Sequence, residues 1–220
     1  MKNIILIAAP SAGKGTQSKL ICEKYNLVHI STGDLLRESL KDNTEISRKI
    51  KEDMALGNLI NDEIILDLIE NRLIKKDIIN GFVLDGFPRN INQAEEFNKL
   101  LIKLNMNLDN VFYLDIDKVL AKKRIIGRLS CSNCNSVYNN QIDGLIPKVE
   151  NVCDKCGNLL FHRSDDNDEI FEKRYYNYET ETKPLLNFYK NLGLLTIIDS
   201  SKSFTQVFLD ICNVMGDVLD

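Results

Sequence analysis

The sequence contains no apolar run approaching the roughly 18 residues that a helix needs to cross a bilayer. It has no excess of positive charge: the formal net charge is −4. That balance excludes a general nucleic-acid or membrane-surface binder, so any anion site must be a local cluster of cations in an acidic chain. There is no internal repeat and no low-complexity linker. The apolar stretch at residues 4–9 is too short for a secretory signal and runs straight on to Lys14. A cytosolic compartment is expected, where structural disulfides are rare. The six cysteines therefore need another explanation.

What is present is an ordinary globular composition, with 44% hydrophobic and 27% charged residues. A chain of 220 residues can bury one substantial core and still carry small inserted subdomains. Short β-rich apolar runs at residues 4–8, 28–30, 82–85, 111–115 and 195–199 alternate with helical periodicity, which reads as an α/β fold with a five-stranded parallel sheet. Helices are predicted over residues 14–25, ending at Asn26, and over residues 62–73. A stripe of Ile46, Ile50 and Met54 closed by Gly57 predicts another. A longer helical pattern over residues 168–189 should break at Pro184.

Two regions depart from the alternation. Residues 31–60 form a purely helical insert. Residues 127–166 are turn-rich, with one strand-like piece at 136–138. These boundaries leave a core of residues 1–30, 61–126 and 167–220.

The segment Ala8-Ala9-Pro10-Ser11-Ala12-Gly13-Lys14-Gly15-Thr16 follows a strand and opens a helix. Backbone N–H groups at a helix start point at an anion, the helix dipole favours negative charge, and a lysine reaches outer phosphates. This P-loop departs from the usual pattern: Ala8 and Ser11 stand where glycines are usual. A positive φ at Ser11 would cost about 1–2 kcal/mol. Asp85 ends an apolar strand, where active-site groups of open α/β sheets collect. A carboxylate facing a triphosphate is tenable chiefly with Mg2+ between them, directly or through water. Arg89 follows a rigid Phe87-Pro88 turn that suits an aimed guanidinium. Gln93, one helical turn on, has an amide donor and acceptor that a base edge could use, but taken alone it reads more commonly as a helix-surface glutamine. Thr32 reads either as a helix cap or as a ligand contact.

Cys131 and Cys134 form one CxxC pair and Cys153 and Cys156 another, with residues 135–152 between them. Paired knuckles at such spacing make a four-thiolate metal site, with structural Zn2+ the expected occupant and iron the alternative. Four protein ligands leave no open position for chemistry. His162 reads as a surface residue, and Cys22 and Cys212 as small buried apolar ones.

Gly13-Lys14-Gly15-Thr16-Gln17, Ser31-Thr32-Gly33-Asp34 with Arg37, Asp85-Gly86-Phe87-Pro88-Arg89 with Gln93, Arg124 with Gly127-Arg128, and Arg163-Ser164-Asp165-Asp166-Asn167 with Arg174 occur in this order along nearly the whole chain. On these blocks the sequence resembles the adenylate kinase family, in its long form with a zinc-binding LID. The resemblance implies the P-loop nucleoside monophosphate kinase fold, with residues 31–60 as the AMP-binding flap and 127–166 as the LID.

It implies ATP contacts at Ser11, Ala12, Gly13, Lys14, Gly15, Thr16, Arg124, Arg128, Val137, Tyr138 and Lys202. It implies AMP contacts at Thr32, Arg37, Asn58, Leu59, Ile60, Gly86, Phe87, Pro88, Arg89, Gln93, Arg163 and Arg174. Lys14, Asp85, Arg89, Arg128, Arg163 and Arg174 would serve the transfer itself. The partners implied are ATP, AMP and ADP, and the state a monomer; no nucleic-acid or membrane partner is expected. Leu129 replaces an arginine frequent in the family. Two rival readings remain: a kinase for another nucleoside monophosphate such as UMP or CMP, and a nucleotide-binding relative with weakened catalysis.

Overall fold

The protein is described as a computed structural model covering residues 2–40, 44–56, 58, 60–134, 136–142 and 144–217. In chain order the elements are β1 (Lys2–Ala8), α1 (Lys14–Tyr25), β2 (Val28–Ser31), α2 (Thr32–Ser39), α3 (Glu45–Ala55), α4 (Asp62–Leu73) and β3 (Gly81–Asp85). There follow α5 (Ile91–Lys103), β4 (Asn110–Asp115), α6 (Lys118–Ile126), β5 (Arg128–Cys131), β6 (Val137–Asn139) and β7 (Leu160–Phe161). The chain then forms α7 (Asp168–Asn177), α8 (Leu185–Asn191), β8 (Leu195–Asp199) and α9 (Phe204–Val214).

The main sheet runs β2-β3-β1-β4-β8, all parallel. The central strand β1 reads Asn-Ile-Ile-Leu-Ile-Ala after its first residue, and every one of those positions is buried. A strand covered on both faces has no polar alternation to show. The register sets Leu6 beside Asp85, Asp85 beside Ser31, and Ala8 beside Leu114. The carboxyl ends of β1, β2 and β3 thus share one edge, from which α1, α2 and α5 start. Helix starts are closed by side chains: Ser31 Oγ accepts from Asp34 N, Asn90 Oδ1 from Gln93 N, and Asn167 Oδ1 from Ile170 N. At the far end of α1, Asn26 takes φ 52° in the left-handed region and stops the helix there.

Within the insert predicted to be helical, Ser31 ends β2 and the described residues beyond it include α2 and α3. Leu59 and Gly57 lie outside the described residues, as do the side chains of Ile46 and Met54. The second insert is a three-stranded antiparallel sheet, β6-β5-β7, with its own small core of Leu129, Cys131, Cys153 and Leu160 and Tyr138 packed on it. Leu129 is 3% exposed; where a family arginine was expected to be missing, the chain has placed a core residue of the insert.

The break in the long pattern after α7 falls earlier than Pro184. The helix widens into a π turn at Tyr178–Thr182, and Pro184 caps the start of α8, where its missing N–H costs nothing. The Tyr178 hydroxyl sits 2.7 Å from that of Tyr113, which donates to Asp115 Oδ1 at 3.0 Å.

Candidate functional site

The loop after β1 is held open by backbone conformation. Ser11 has φ 63° and Gly13 φ 96°. The strain foreseen for Ser11 is present, about 1–2 kcal/mol for a residue with a Cβ. At Gly13 a Cβ would come within 2.8 Å of Phe204 Cε1, so only glycine lets α9 pack there. Ser200 Oγ donates to Ala12 O at 2.6 Å and Gln17 Nε2 to Phe204 O at 2.8 Å, tying the loop and α1 to the segment after β8. Sequence reasoning had not picked out Ser200 or Phe204. Neither belongs to a motif, and only the fold brings them beside residues 12–17.

Lys14 Nζ donates back to Ala8 O at 2.9 Å. Its pKa falls from 10.5 to about 8: burial is the main cause, Arg89, Arg128 and Arg174 lower it further, and Asp85 opposes them. Arg89, although it reaches solvent, is also held below its ordinary value, by desolvation from the surrounding protein and then by Arg174, again against Asp85. Arg163 is lowered by burial, by Arg128 and by Arg37, with Asp166 and Asp165 opposing. Six cations, Lys14, Arg37, Arg89, Arg128, Arg163 and Arg174, are therefore linked by neighbouring repulsions into one group. Such mutual repulsion is unfavourable in the bare protein and is relieved by polyanions.

Acidic partners hold Arg37, Arg128 and Arg174, and a hydroxyl holds Arg163. Arg128 forms a two-pronged pair with Asp166, with Nε to Oδ2 at 2.7 Å. Arg174 Nη2 meets Asp165 Oδ2 at 2.5 Å, and Arg163 Nε donates to Ser130 Oγ at 3.1 Å. Arg37 pairs with Asp34, one turn away. Asp85, half-buried at the end of β3, lies 3.5 Å from the Cβ position of Gly15 and 3.6 Å from His29 Nε2.

Arg124 sits differently from the other arginines. It is 7% exposed, donates from Nη1 to Ser200 O at 2.9 Å, and lies 5.0 Å from the centre of the Phe204 ring. It braces the segment of Ser200, Lys202 and Phe204 behind the phosphate loop. Lys202 itself pairs with Asp210 through its ammonium, 2.8 Å away, while its carbonyl accepts from Arg124 Nη2 at 3.5 Å.

On the other side of Arg89, Thr32, Leu36, Ile60, Ile65, Gly86 and Gln93 join it around a narrow cavity of about 20 Å³, room for roughly one water molecule. Thr32 Oγ1 donates to Gly86 O at 3.0 Å, and Arg89 Nε to the same oxygen at 2.9 Å. Phe87 and Pro88 are buried behind them. Asn58 is bound to Asp53 through Nδ2 at 2.9 Å. The Gln93 amide is not free: Oε1 accepts from Arg89 N at 2.7 Å, and Nε2 donates to Asp62 Oδ1 at 2.6 Å. Asp62 was hidden in the sequence, because an acid in the first turn of a helix needs no explanation beyond the helix dipole.

In the small sheet the four paired cysteines converge, all Sγ atoms lying within 4.8 Å of one another. Adjacent sulfurs are 3.4 Å (Cys131–Cys156) and 3.5 Å (Cys134–Cys153 and Cys134–Cys156) apart. Tetrahedral thiolates around zinc stand about 3.8 Å apart, given Zn–S bonds of about 2.3 Å. The donor set therefore fits that ion. Gly157, with φ 73°, closes the second knuckle by donating from its N–H to Cys153 O at 2.8 Å. The Tyr138 hydroxyl accepts from Asp154 N at 2.8 Å and lies 3.6 Å from Cys153 Sγ. Burial resists ionisation of Cys153, but that hydroxyl and the Cys156 and Lys155 N–H groups outweigh it and draw the thiol down to about 6. The Tyr138 side chain thus serves the cysteine cluster, and Val137, 43% exposed, stands at the surface beside it. His162 is exposed and outside the group; Cys212 is buried and Cys22 half-buried.

No helix among the described residues is long and apolar enough to cross a membrane. A family profile described as adenylate kinase matches residues 6–194. The chain is 44% identical over 214 residues to an adenylate kinase of Thermoanaerobacter sp. (strain X514), covering 97% of this chain and 98% of that protein. It is 42% identical over 213 residues to one from Clostridioides difficile (strain 630), with 97% and 98% covered. With one from Fervidobacterium nodosum it shares 42% over 214 residues, 97% of each.

Proposed function

The chain belongs to the adenylate kinase family, and from that premise we propose that it transfers a phosphoryl group reversibly between ATP and AMP, giving two ADP, in a direct in-line step. The observation that supports this reading is the cation group beside the phosphate loop, in which Arg89, Arg128 and Arg174 depress Lys14, Arg174 depresses Arg89, and Arg128 and Arg37 depress Arg163, next to the cavity that Arg89 and Gln93 line. Phosphoryl transfer needs little covalent help from the protein. It needs two mutually repelling polyanions aligned, and the charge spread over the transferred group matched by fixed cations.

In this reading the amides of residues 11–16 and Lys14 hold the ATP phosphates, and Arg128 faces the same side. Arg37 and Arg89 hold the AMP phosphate, while Arg163 and Arg174 reach the transferring group. Asp85 would hold Mg2+ through water; the ion offsets phosphate charge when bound. An oxygen of the AMP phosphate is already a competent nucleophile, so no side chain acts as base. The cavity beside Gly86 and Gln93 is narrow, and outward movement of α2 would widen it for AMP. Residues 31–60 are then the moving acceptor flap and 127–166 the LID over ATP. The four cysteines hold structural Zn2+ within that LID. A cytoplasmic monomer is the expected setting.

ADP formation from ATP, AMP and Mg2+ tests the reading, with initial rates for AMP, UMP, CMP and GMP run in parallel. AMP should lead by more than about tenfold, the factor given by 1.4 kcal/mol of selectivity. Silence at micromolar enzyme removes the kinase reading, and a faster acceptor than AMP corrects the substrate.

A further inference from the structure

Asp62 opens α4 directly after the helical insert, and its carboxylate collects three amide donors. Gln93 Nε2 lies at 2.6 Å, Asn92 Nδ2 at 2.8 Å, and Asn90 Nδ2 at 3.2 and 3.3 Å from its two oxygens. All three come from the start of α5, immediately beyond Arg89. Only a group that accepts and never donates satisfies donors converging from three sides.

The opposite end of the Gln93 amide is fixed as well, since Oε1 takes the Arg89 N–H at 2.7 Å. Turning the amide over would set its oxygen against the Asp62 carboxylate and its NH2 against an N–H donor, losing both bonds. An amide carries two N–H groups and two lone pairs. One N–H and one lone pair are spent on Asp62 and Arg89, so one of each is left. Gln93 is 2% exposed and lines the acceptor cavity.

We propose that Asp62 is a specificity-determining positioning residue: by locking the Gln93 amide in one of its two orientations, it makes the acceptor site discriminate adenine from guanine. This inference rests on the reading of AMP as acceptor. On the six-membered ring, adenine presents a ring-nitrogen acceptor beside an amino donor. Guanine presents a carbonyl acceptor beside a ring N–H donor, so the order is reversed. A free amide would turn to serve either base. A locked one serves one, because the arginines that fix the phosphate keep the ribose from letting the base turn over. The wrong purine meets donor with donor and acceptor with acceptor, and a pocket that leaves buried polar groups unpaired rejects it strongly.

The test compares kcat/KM for AMP and GMP at saturating ATP in the full chain, in wild type, Asp62→Ala, Asp62→Thr and Asn92→Ala. The AMP:GMP preference should narrow by about tenfold or more in both Asp62 variants, because a mispaired polar edge is worth at least that factor. The KM for ATP should hold. Asn92→Ala removes a donor from the same carboxylate without touching Gln93 and should leave the preference unchanged. If both acceptors slow equally in the Asp62 variants and the ratio stands, Asp62 only ties α4 to α5 and the proposal is overturned. Threonine is accommodated in a first helical turn, so it carries the test, with equilibrium binding of AMP and GMP beside it, should the alanine variant fail to fold. Failure of the acceptor reading shows separately, in the wild type: another mononucleotide would then beat AMP before any variant is compared.

Discussion

Stripping the metal from the cysteine cluster should unfold the small sheet while the parallel sheet stays intact. Among the described residues the buried apolar core of that insert is Leu129, Cys131, Cys153 and Leu160, and two of these belong to the cysteine cluster. Burying the two leucines stabilises the insert by about 2–3 kcal/mol each, roughly 5 kcal/mol together. Ordering the backbone costs about 1–2 kcal/mol for every residue, which two leucines offset for only a handful of positions. Four thiolates on zinc in a small domain contribute about 10–16 kcal/mol, so the ion outweighs the leucines at least twofold. The assay is hydrogen exchange on protein whose metal content has been measured, before and after chelation under reducing conditions. Amides of β5, β6 and β7 should lose protection, whereas those of β1 and β4 keep theirs. Retained protection across Leu129–Ser130 and Val137–Asn139, with the metal verified absent, would refute the reasoning: the insert would then be held by packing this estimate has missed.

Two further outcomes follow from the same structure. Burial lowers the Lys14 pKa from 10.5 to about 8, so between those values the unfolded chain binds more protons than the folded one. Stability of the bare protein should therefore gain from Lys14 as pH rises through that window, while affinity for ATP falls as the ammonium discharges. Thermal melts and calorimetric titrations of wild type and Lys14→Met from about pH 7 to 10 check this, and parallel rather than opposed trends in the difference would count against it. Leu129→Ala should cost the insert about 2–4 kcal/mol through its emptied core. It should speed metal loss to a chelator and leave the main melting transition in place; an unchanged release rate would mean that Leu129 packs nothing essential.

The sheet was legible because its strands are buried on both faces and read as uninterrupted apolar runs, and α1 because Asn26 ends it in a conformation that asparagine tolerates. The cysteine cluster was legible from spacing alone. Other features depended on contacts between distant residues. Pro184 is an evident helix breaker, yet the helix yields at Tyr178, whose hydroxyl meets Tyr113 across 65 positions of sequence. Arg124 looked like one more arginine bordering the insert, but burial against Phe204 makes it a brace for the loop. Gln93 looked like a free reader of a base edge; that half of its amide is engaged could not be seen without Asp62, 31 positions away. Leu129 looked like an absent cation, and only the pairing of β5 with β6 and β7 turns it inward.

The two-pronged contact between Arg128 and Asp166 closes the neck of the insert, where the chain leaves α6 and returns towards α7. Arg163 and Asp165 stand at the same neck. Everything distal to it, from Cys131 to Phe161, carries the cysteine cluster but none of the arginines that repel one another around Lys14. The insert is thus a cassette with a fixed collar and a replaceable body. A lineage could exchange the four thiolates for a packed or hydrogen-bonded interior without disturbing the reaction, provided the collar is kept. A designer could do the same, grafting a metal-free body between residues 130 and 162 that keeps the positions of Val137 and Tyr138 and inheriting the arginines of the collar.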